Sequence, residues 1–482
     1  MILSDLLRNT GVQLPGNLAR LEITSIEDDS RNIVEGSLFV ALRGFETDGH
    51  DHIEQALDRG AAAVLAENQV SDDYRICVNP DNDNRAILSL IASRFYDYPW
   101  DELVTVGITG TNGKTSTARM LQWIFERQGI QCGIMGTIGH LVGGEHVKAE
   151  MTTPGALATA AMMREMVKKN DRCCIMEVSS HALALCRVDD VRFDAALFTN
   201  ITQDHLDFHG SMEDYLNSKK HLFDLLKNDG SSIIGTYSSG FPSIEGAVTF
   251  GPRENDTYRI DDIFGELGRI AFRLHADGAS LPVEMNIPGK FNIFNAAGAL
   301  AAAIELGIDP LAASQSLKDF PGVPGRFQSV DLGQDYLVAV DYAHTPDALE
   351  RILRQASELT ANRVIIVFGA GGDRDSSKRP IMGRIAESIA DIVIITSDNP
   401  RTEAPDSIIR DITDGLSSEY QCRIIVEPDR QAAIRSAISI AETGDVVIIA
   451  GKGHEDYQIL GKEKIHFDDR EEAAAALKEM MK

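Results

Sequence analysis

At 482 residues the chain is too long for one ordinary domain, and about two to four are expected. Its hydrophobic share of 43% and charged share of 25% suit a globular protein that buries several cores, and no apolar run approaches the length of a membrane-spanning helix. A formal charge of −27 argues against general binding to nucleic acid or to an anionic membrane face, while leaving room for a small anion where positive charge is concentrated locally.

The N-terminus, Met1-Ile2-Leu3-Ser4-Asp5, carries an acid where a secretory signal wants positive charge, which predicts a cytosolic protein. Up to about residue 99, helical and strand-like pieces alternate: 36–42 reads as an apolar strand after the polar turn Asp29-Ser30-Arg31, 53–60 as a helix and 61–66 as the next strand. Pro99-Trp100-Asp101 reads as a hinge. Beyond it, Leu103-Val104-Thr105-Val106 predicts a buried strand, and Met120, Leu121, Ile124 and Phe125 recur at helical spacing up to a stop at Gly129. Between strand and helix lies Gly107-Ile108-Thr109-Gly110-Thr111-Asn112-Gly113-Lys114-Thr115. Such a glycine-rich turn aims backbone N–H groups at one spot by the positive end of a helix dipole, where a polyphosphate can settle. Gly110, Thr111, Asn112, Gly113 and Ser116 would line that cradle, Lys114 would reach the outer phosphates and Thr115 would offer a hydroxyl to Mg²⁺. Five residues, not the usual four, separate Gly107 from Gly113, and a purely connecting glycine turn is the bland alternative.

Next come a hydroxyl-rich loop, Met151-Thr152-Thr153-Pro154-Gly155, a helix through Lys169, and the apolar run 173–178, which brings Glu177 to a strand end. An acid there can hold Mg²⁺, directly or through water, or can simply be solvated. A strand over 195–200 leads into Ile201-Thr202-Gln203-Asp204-His205-Leu206-Asp207-Phe208-His209-Gly210, a metal or phosphate constellation by residue type and otherwise a hydrogen-bonded turn. A helix over 215–226 carries Lys219 and Lys220, a pair that reads as a solvated face when taken alone. Asn292 and Asn295 share one side of the first turn of an alanine-rich helix, and the turn-rich 321–326 makes a second linker.

From Phe327 on, strands and helices are predicted in strict alternation, with 364–369, 392–396, 423–426 and 446–450 read as strands buried on both faces of a doubly wound α/β sheet. Ligands of such sheets collect at the carboxyl ends of the strands, here in the loops Gly371-Gly372-Asp373-Arg374-Asp375, Ser397-Asp398-Asn399-Pro400-Arg401 and Gly451-Lys452-Gly453-His454-Glu455. The six cysteines show neither metal-ligand spacing nor a disulfide framework, and Cys173-Cys174 in their apolar run read as small buried thiols.

With 109–115, Glu177-Val178-Ser179-Ser180-His181, Asp204-His205-Leu206-Asp207, Asp341-Tyr342-Ala343-His344-Thr345-Pro346 and Gly451-Lys452-Gly453-His454-Glu455 in this order over nearly the whole length, the chain resembles the Mur ligase family of bacterial cell-wall synthesis. The resemblance implies three α/β domains: a small one at 1–99 for a uridine nucleotide, a central P-loop ATPase at 100–327, and a Rossmann-like domain at 328–482 that receives an amino acid. Asp398-Asn399-Pro400-Arg401 is similar to the run of the members that add meso-2,6-diaminopimelate to UDP-N-acetylmuramoyl-L-alanyl-D-glutamate through an acyl phosphate. By that similarity Ser30 lies beside the uridine, and Thr152, Thr153, Ser179 and Arg187 hold the muramyl dipeptide, with Leu185 where the family often has glutamine. Asn292, Asn295, Arg326 and Asp341 seat ATP, with His344 close to the domain junction. Lys219, implied to be carbamylated, joins Thr115, Glu177 and His205 around Mg²⁺, so that Lys114, Lys219, Glu177 and His205 form the catalytic group. Arg374, Asp398, Asn399, Pro400, Arg401, Gly451 and Glu455 hold the diaminopimelate, with Arg401 and Arg374 as carboxylate forks and Glu455 on the distal ammonium. A monomer is implied.

Lysine addition and folyl-polyglutamate synthesis are the alternatives within such ligases. A P-loop switch would leave the three strand-end loops of the last domain unexplained. A UDP-sugar carrier would leave Lys114 with Thr115 unexplained.

Overall fold

In the computed structural model the long apolar runs become parallel strands, and the polar loops named above follow their carboxyl ends. The structure describes residues 1–44, 47–68, 75–80, 83–276, 278–417 and 422–480. The chain divides into two compact units, Met1–Tyr258 with Gly298–Asp309, and Arg259–Ala297 with Pro310–Lys482.

The first unit begins with a four-stranded parallel sheet of Ser25–Glu27, Ser37–Val40, Ala63–Ala66 and Ile76–Val78 in that order. The predicted helix over 53–60 appears as Ile53–Asp58. In the stretch expected as a hinge, Pro99 and Trp100 are buried in a 3₁₀ turn, Arg164 donates to the carbonyls of Tyr96 and Asp97, and Lys227 donates to that of Trp100. The proline reads as a breaker from sequence, but its ring and the indole are apolar surface that the helix Ala156–Lys168 and its surroundings cover.

The second sheet of this unit places Val104–Thr109 between Phe193–Phe198 and Cys173–Glu177, with Cys132–Met135 beyond the latter. All four run parallel, in a register that sets Ile108 beside Glu177 and Thr109 beside Phe198. Three polar loops therefore emerge side by side. The helix Lys114–Arg127 is anchored by Met120, Leu121, Ile124 and Phe125, each buried and each contributing roughly 1.5–3 kcal/mol. The helix expected over 215–226 runs Met212–Asp224 instead, because the Ser211 hydroxyl caps it by accepting from the Asp214 N–H, and Leu226 already opens the strand Leu226–Gly235.

The second unit holds a six-stranded sheet in the order Gln328–Ser329, Leu337–Asp341, Val446–Ala450, Val364–Phe368, Ile392–Ile395, Arg423–Val426, parallel except for the first pair. Apolar cores cover both of its faces. Two expectations need correction. Arg423–Val426 is not buried on both faces, because it is the edge strand. Strict alternation breaks after Val446–Ala450, where Tyr457–Leu460 and Glu463–His466 pair as a hairpin. The antiparallel strands Ile270–Ala276 and Ala279–Met285 also belong to this unit. Cys77, Cys132, Cys173 and Cys174 are buried, Cys186 and Cys422 half-buried, and all six are free thiols.

Candidate active site

The turn after Val104–Thr109 is shaped by contacts that exclude larger residues. Gly110 has φ +136, and a Cβ there would overlap the Thr199 hydroxyl. Asn200, at the end of the neighbouring strand, grips the turn from outside: its backbone carbonyl accepts from the Thr111 N–H at 2.8 Å, its side-chain oxygen accepts from the Asn112 N–H at 3.0 Å, and its amide donates to the Asn112 carbonyl at 3.1 Å. Gly113, at φ +84, opens the helix. A glycine-bounded turn at the N-terminus of a 14-residue helix is the geometry an anion needs.

Two lysine side chains meet at this turn. Lys114 Nζ donates to the carbonyls of Gly110 at 2.8 Å and Thr111 at 3.0 Å, and Lys219 Nζ donates to the same Gly110 oxygen at 2.9 Å. Lys219 is not on a solvated face: it is 1% exposed, over the ring of Tyr215. Burial, and then the nearby charge of Lys114, push its pKa well below the ordinary lysine value. The Tyr215 hydroxyl hydrogen-bonds Thr111 at 3.1 Å.

Glu177 is buried rather than solvated, and three groups satisfy its carboxylate: the Thr115 hydroxyl at 2.8 Å, the Thr137 N–H at 2.9 Å and the Thr137 hydroxyl at 3.0 Å. The network continues into the residues expected at the dipeptide. Thr152 bonds Thr137, Thr153 donates to the Glu177 carbonyl at 2.8 Å and accepts from the Ser179 N–H, and Arg187 donates to the Thr153 carbonyl at 3.1 Å. Burial lowers the pKa of Arg187. Ser179 caps the short helix Ser180–Ala184, whose C-cap is Leu185. His205 is half-exposed in a left-handed conformation, its ring 4.8 Å from that of His181 and 6.2 Å from that of Tyr215. Ser116 is buried in the first helical turn. Ser30 stands apart in the four-stranded region, buried and donating to the Gln55 side-chain oxygen at 2.7 Å.

The turn offers an anion the N-terminus of a long helix and the side chain of Lys114. Thr115 and Glu177 supply the hard oxygen donors that Mg²⁺ takes, and among the described residues no cluster of three or more His, Cys, Asp or Glu could hold a metal unaided. Mg²⁺ commonly takes one or two protein oxygens and fills its remaining positions with waters and phosphate oxygens.

In the second unit Asn295 donates to the Asn292 side-chain oxygen at 3.0 Å, and both are buried. Asp341 accepts from the N–H groups of Phe327 and Ala343, while burial raises its pKa and Arg326 opposes the rise. The Arg326 guanidinium lies 5.6 Å from the Tyr342 ring, its Nε buried without a hydrogen-bond partner. His344 Nδ1 bonds the Tyr342 carbonyl, and Lys378 donates to the carbonyl of His344.

The strand-end loops of this unit do come together. Asn399 donates to Glu455 at 3.0 Å, and its side-chain oxygen accepts from Lys452 at 3.2 Å. Gly451 N–H donates to the Asp341 carbonyl, and Asp398 is buried, its backbone carbonyl bonded by Gln458. Arg401, past the buried Pro400 and at φ +51, donates to the Gly372 carbonyl at 2.6 Å, and Arg374 is exposed. Glu455 is not an isolated carboxylate, since the wholly buried Lys452 lies 3.4 Å from it. Asn200, Thr137 and Lys452 were not anticipated as site residues. Lys452 has a signal, a lysine inside the glycine run, whereas Asn200 and Thr137 owe their place to strand order alone.

Three family descriptions match the chain in order: "Mur ligase family, catalytic domain" over residues 22–96, "Mur ligase middle domain" over 108–303 and "Mur ligase, glutamate ligase domain" over 325–453. The UDP-N-acetylmuramoyl-L-alanyl-D-glutamate–2,6-diaminopimelate ligase of Syntrophomonas wolfei is 42% identical over 489 residues, covering 100% of both chains. The chain belongs to the Mur ligase family. The enzyme of the same name from Geobacillus kaustophilus is 43% identical over 470 residues, 95% of each chain. A solved structure titled as that ligase superposes on this Mur ligase with a TM-score of 0.70 at 31% identity, covering 98% of both chains. The three-domain α/β architecture implied by the resemblance is therefore that of the family, and the chain is a ligase. Among the described residues no helix is long and apolar enough to cross a membrane.

Proposed function

We propose that this Mur ligase joins an amine of meso-2,6-diaminopimelate to the D-glutamyl carboxylate of UDP-N-acetylmuramoyl-L-alanyl-D-glutamate at the expense of ATP, in the cytoplasm. The observation that carries the reading is the continuous hydrogen-bonded path from the phosphate turn through Thr115 and Glu177 to Thr153, Ser179 and Arg187. It couples a polyphosphate cradle to a set of groups suited to an anionic acceptor.

A carboxylate acylates poorly, and bringing it to a triphosphate sets two anions against each other. Bound at the turn, ATP with Mg²⁺ supplies the phosphoryl group that turns the carboxylate into an acyl phosphate. Lys114 sits where negative charge accumulates and would exchange carbonyl contacts for phosphate oxygens. Thr115 and Glu177 would hold Mg²⁺, with His205 and Lys219 completing its surroundings. Burial biases Lys219 toward the neutral amine, the form that takes up carbon dioxide, which supports a carbamate there. In the second unit Arg401 and Arg374 offer two guanidinium groups to the carboxylates of the amino acid, and Asn399 with Glu455 a polar seat for its ammonium.

The test is phosphate release from ATP with the purified UDP-muramyl dipeptide, comparing diaminopimelate, lysine and no amino acid. Release that depends on diaminopimelate is expected. Equal release with lysine would replace this reading by the lysine-adding one.

A further inference from the structure

Arg379 is 1% exposed, yet it has no assigned part in the site. It stands in the first turn of the helix Lys378–Ile389, and its guanidinium meets four acceptors. Nη1 donates to Glu403 Oε2 and to Asp411 Oδ2, both at 2.8 Å, while Nη2 donates to Glu403 Oε1 at 2.8 Å and to the Gly371 carbonyl at 3.1 Å. Two parallel bonds to one carboxylate fix the position of Glu403, and they hold its pKa below the ordinary value.

Glu403 in turn holds the neighbouring loop. Its Oε1 also accepts from the Asp373 N–H, and the Asp373 carboxylate accepts from the N–H and hydroxyl of Thr402. The Gly372 N–H donates to the Asn399 carbonyl at 2.9 Å, and a Cβ on Gly372 would overlap the Pro400 carbonyl. Loop 371–374, which carries Arg374, and loop 399–403, which carries Arg401, are thus fastened along their length, and the Arg379 fork is the buried end of the fastening.

We infer that Arg379 is a positioning residue for recognition of the incoming amino acid, acting through Glu403 to set the spacing of the loops that present Arg374 and Arg401. This rests on the reading of those two arginines as carboxylate ligands. Bidentate recognition is intolerant of displacement, so a small shift of either loop weakens binding of the amino acid and leaves the phosphate turn untouched. Lysine cannot replace the arginine, because one ammonium cannot make two parallel bonds to Glu403 and still reach Asp411 and Gly371.

Arg379→Lys and Glu403→Gln test this in full-length protein by steady-state phosphate release. The apparent KM for diaminopimelate should rise about tenfold or more in both, with KM for ATP and for the UDP-dipeptide within about twofold of wild type and kcat largely kept at saturating diaminopimelate. Arg363→Lys is the control for lost stability alone, since Arg363 pairs with Asp445 at the opposite ends of the strands and should lower the melting temperature without moving that KM. Unchanged KM values, or equal rises for ATP and diaminopimelate, would overturn the inference. Should Arg379→Lys fail to fold, Glu403→Gln decides by the same criterion. Wild-type release that ignores diaminopimelate would instead sink the reading of the site, and this inference with it.

Discussion

In the first unit Lys114 and Lys219 both donate to the carbonyl oxygen of Gly110, whereas in the second Arg379, Arg430 and Lys452 face the carboxylates of Glu403, Asp469 and Glu455. A carbonyl dipole orients an ammonium without cancelling its charge. At the phosphate turn Lys114 is oriented in this way toward an arriving polyanion, while burial biases Lys219 toward the neutral amine. Paired cations exert little net pull, but they hold loops in place, and a site that must distinguish one amino acid from another depends on placement more than on charge. The first region should govern rate and the second selectivity.

Breaking the first region should have the largest effect. Lys114→Met is expected to lower kcat by on the order of 10³-fold, because it removes a preorganised charge from the transferring group. Lys219→Ala should likewise abolish turnover, with partial rescue by an added short carboxylic acid; full activity without rescue would show that Lys219 is only structural. A milder break is Glu177→Gln, which keeps the Thr115 contact but not the charge. Turnover should fall about 10²-fold, and the Mg²⁺ needed for half-maximal rate should rise. Chelation should stop phosphate release and added Mg²⁺ should restore it.

The second region should answer differently. Arg401→Ala should raise KM for diaminopimelate about 10-fold to 100-fold and KM for ATP hardly at all, as expected for one charged hydrogen-bonding partner. Equal effects on both would mean that its bond to the Gly372 carbonyl is its whole role.

The smallest expected effect lies outside both regions. His221 sits between Asp189 and Asp224, which raise its pKa from 6.5 to about 9. The folded state binds this proton more tightly than the unfolded state. The stabilisation is therefore complete below pH 6.5 and fades as pH rises through about 9. The melting temperature should drift down across that window, and His221→Gln should flatten the drift.

The strands at the centre of each sheet were legible because they carry uninterrupted apolar runs, as in Val364–Phe368, where all five residues are buried. Position within a sheet was not. Ile424 and Ile425 read like Ile365 and Ile366, yet only strand order places the first pair at the edge and the second at the centre. The antiparallel strands of 258–285 fell outside the expected elements, although Ile270, Phe272, Leu274 and Ala276 alternate with half-buried residues in a clear two-residue period. In the site, the phosphate turn and Glu177 were visible as local patterns. Thr137 and Asn200 were not, because their contacts to Glu177 and Asn112 come from strands adjacent in space and far apart in sequence.

If the first unit activates a carboxylate by transferring phosphate to it, an oxygen of that carboxylate must leave with the phosphate. The direct measurement uses UDP-muramyl dipeptide labelled with ¹⁸O in the D-glutamyl carboxylate, with mass analysis of the released phosphate. The amine attacks the carbonyl carbon and phosphate leaves with one carboxylate oxygen, so each turnover should place one ¹⁸O in inorganic phosphate. Phosphate free of label, with amide still formed, would exclude an acyl phosphate.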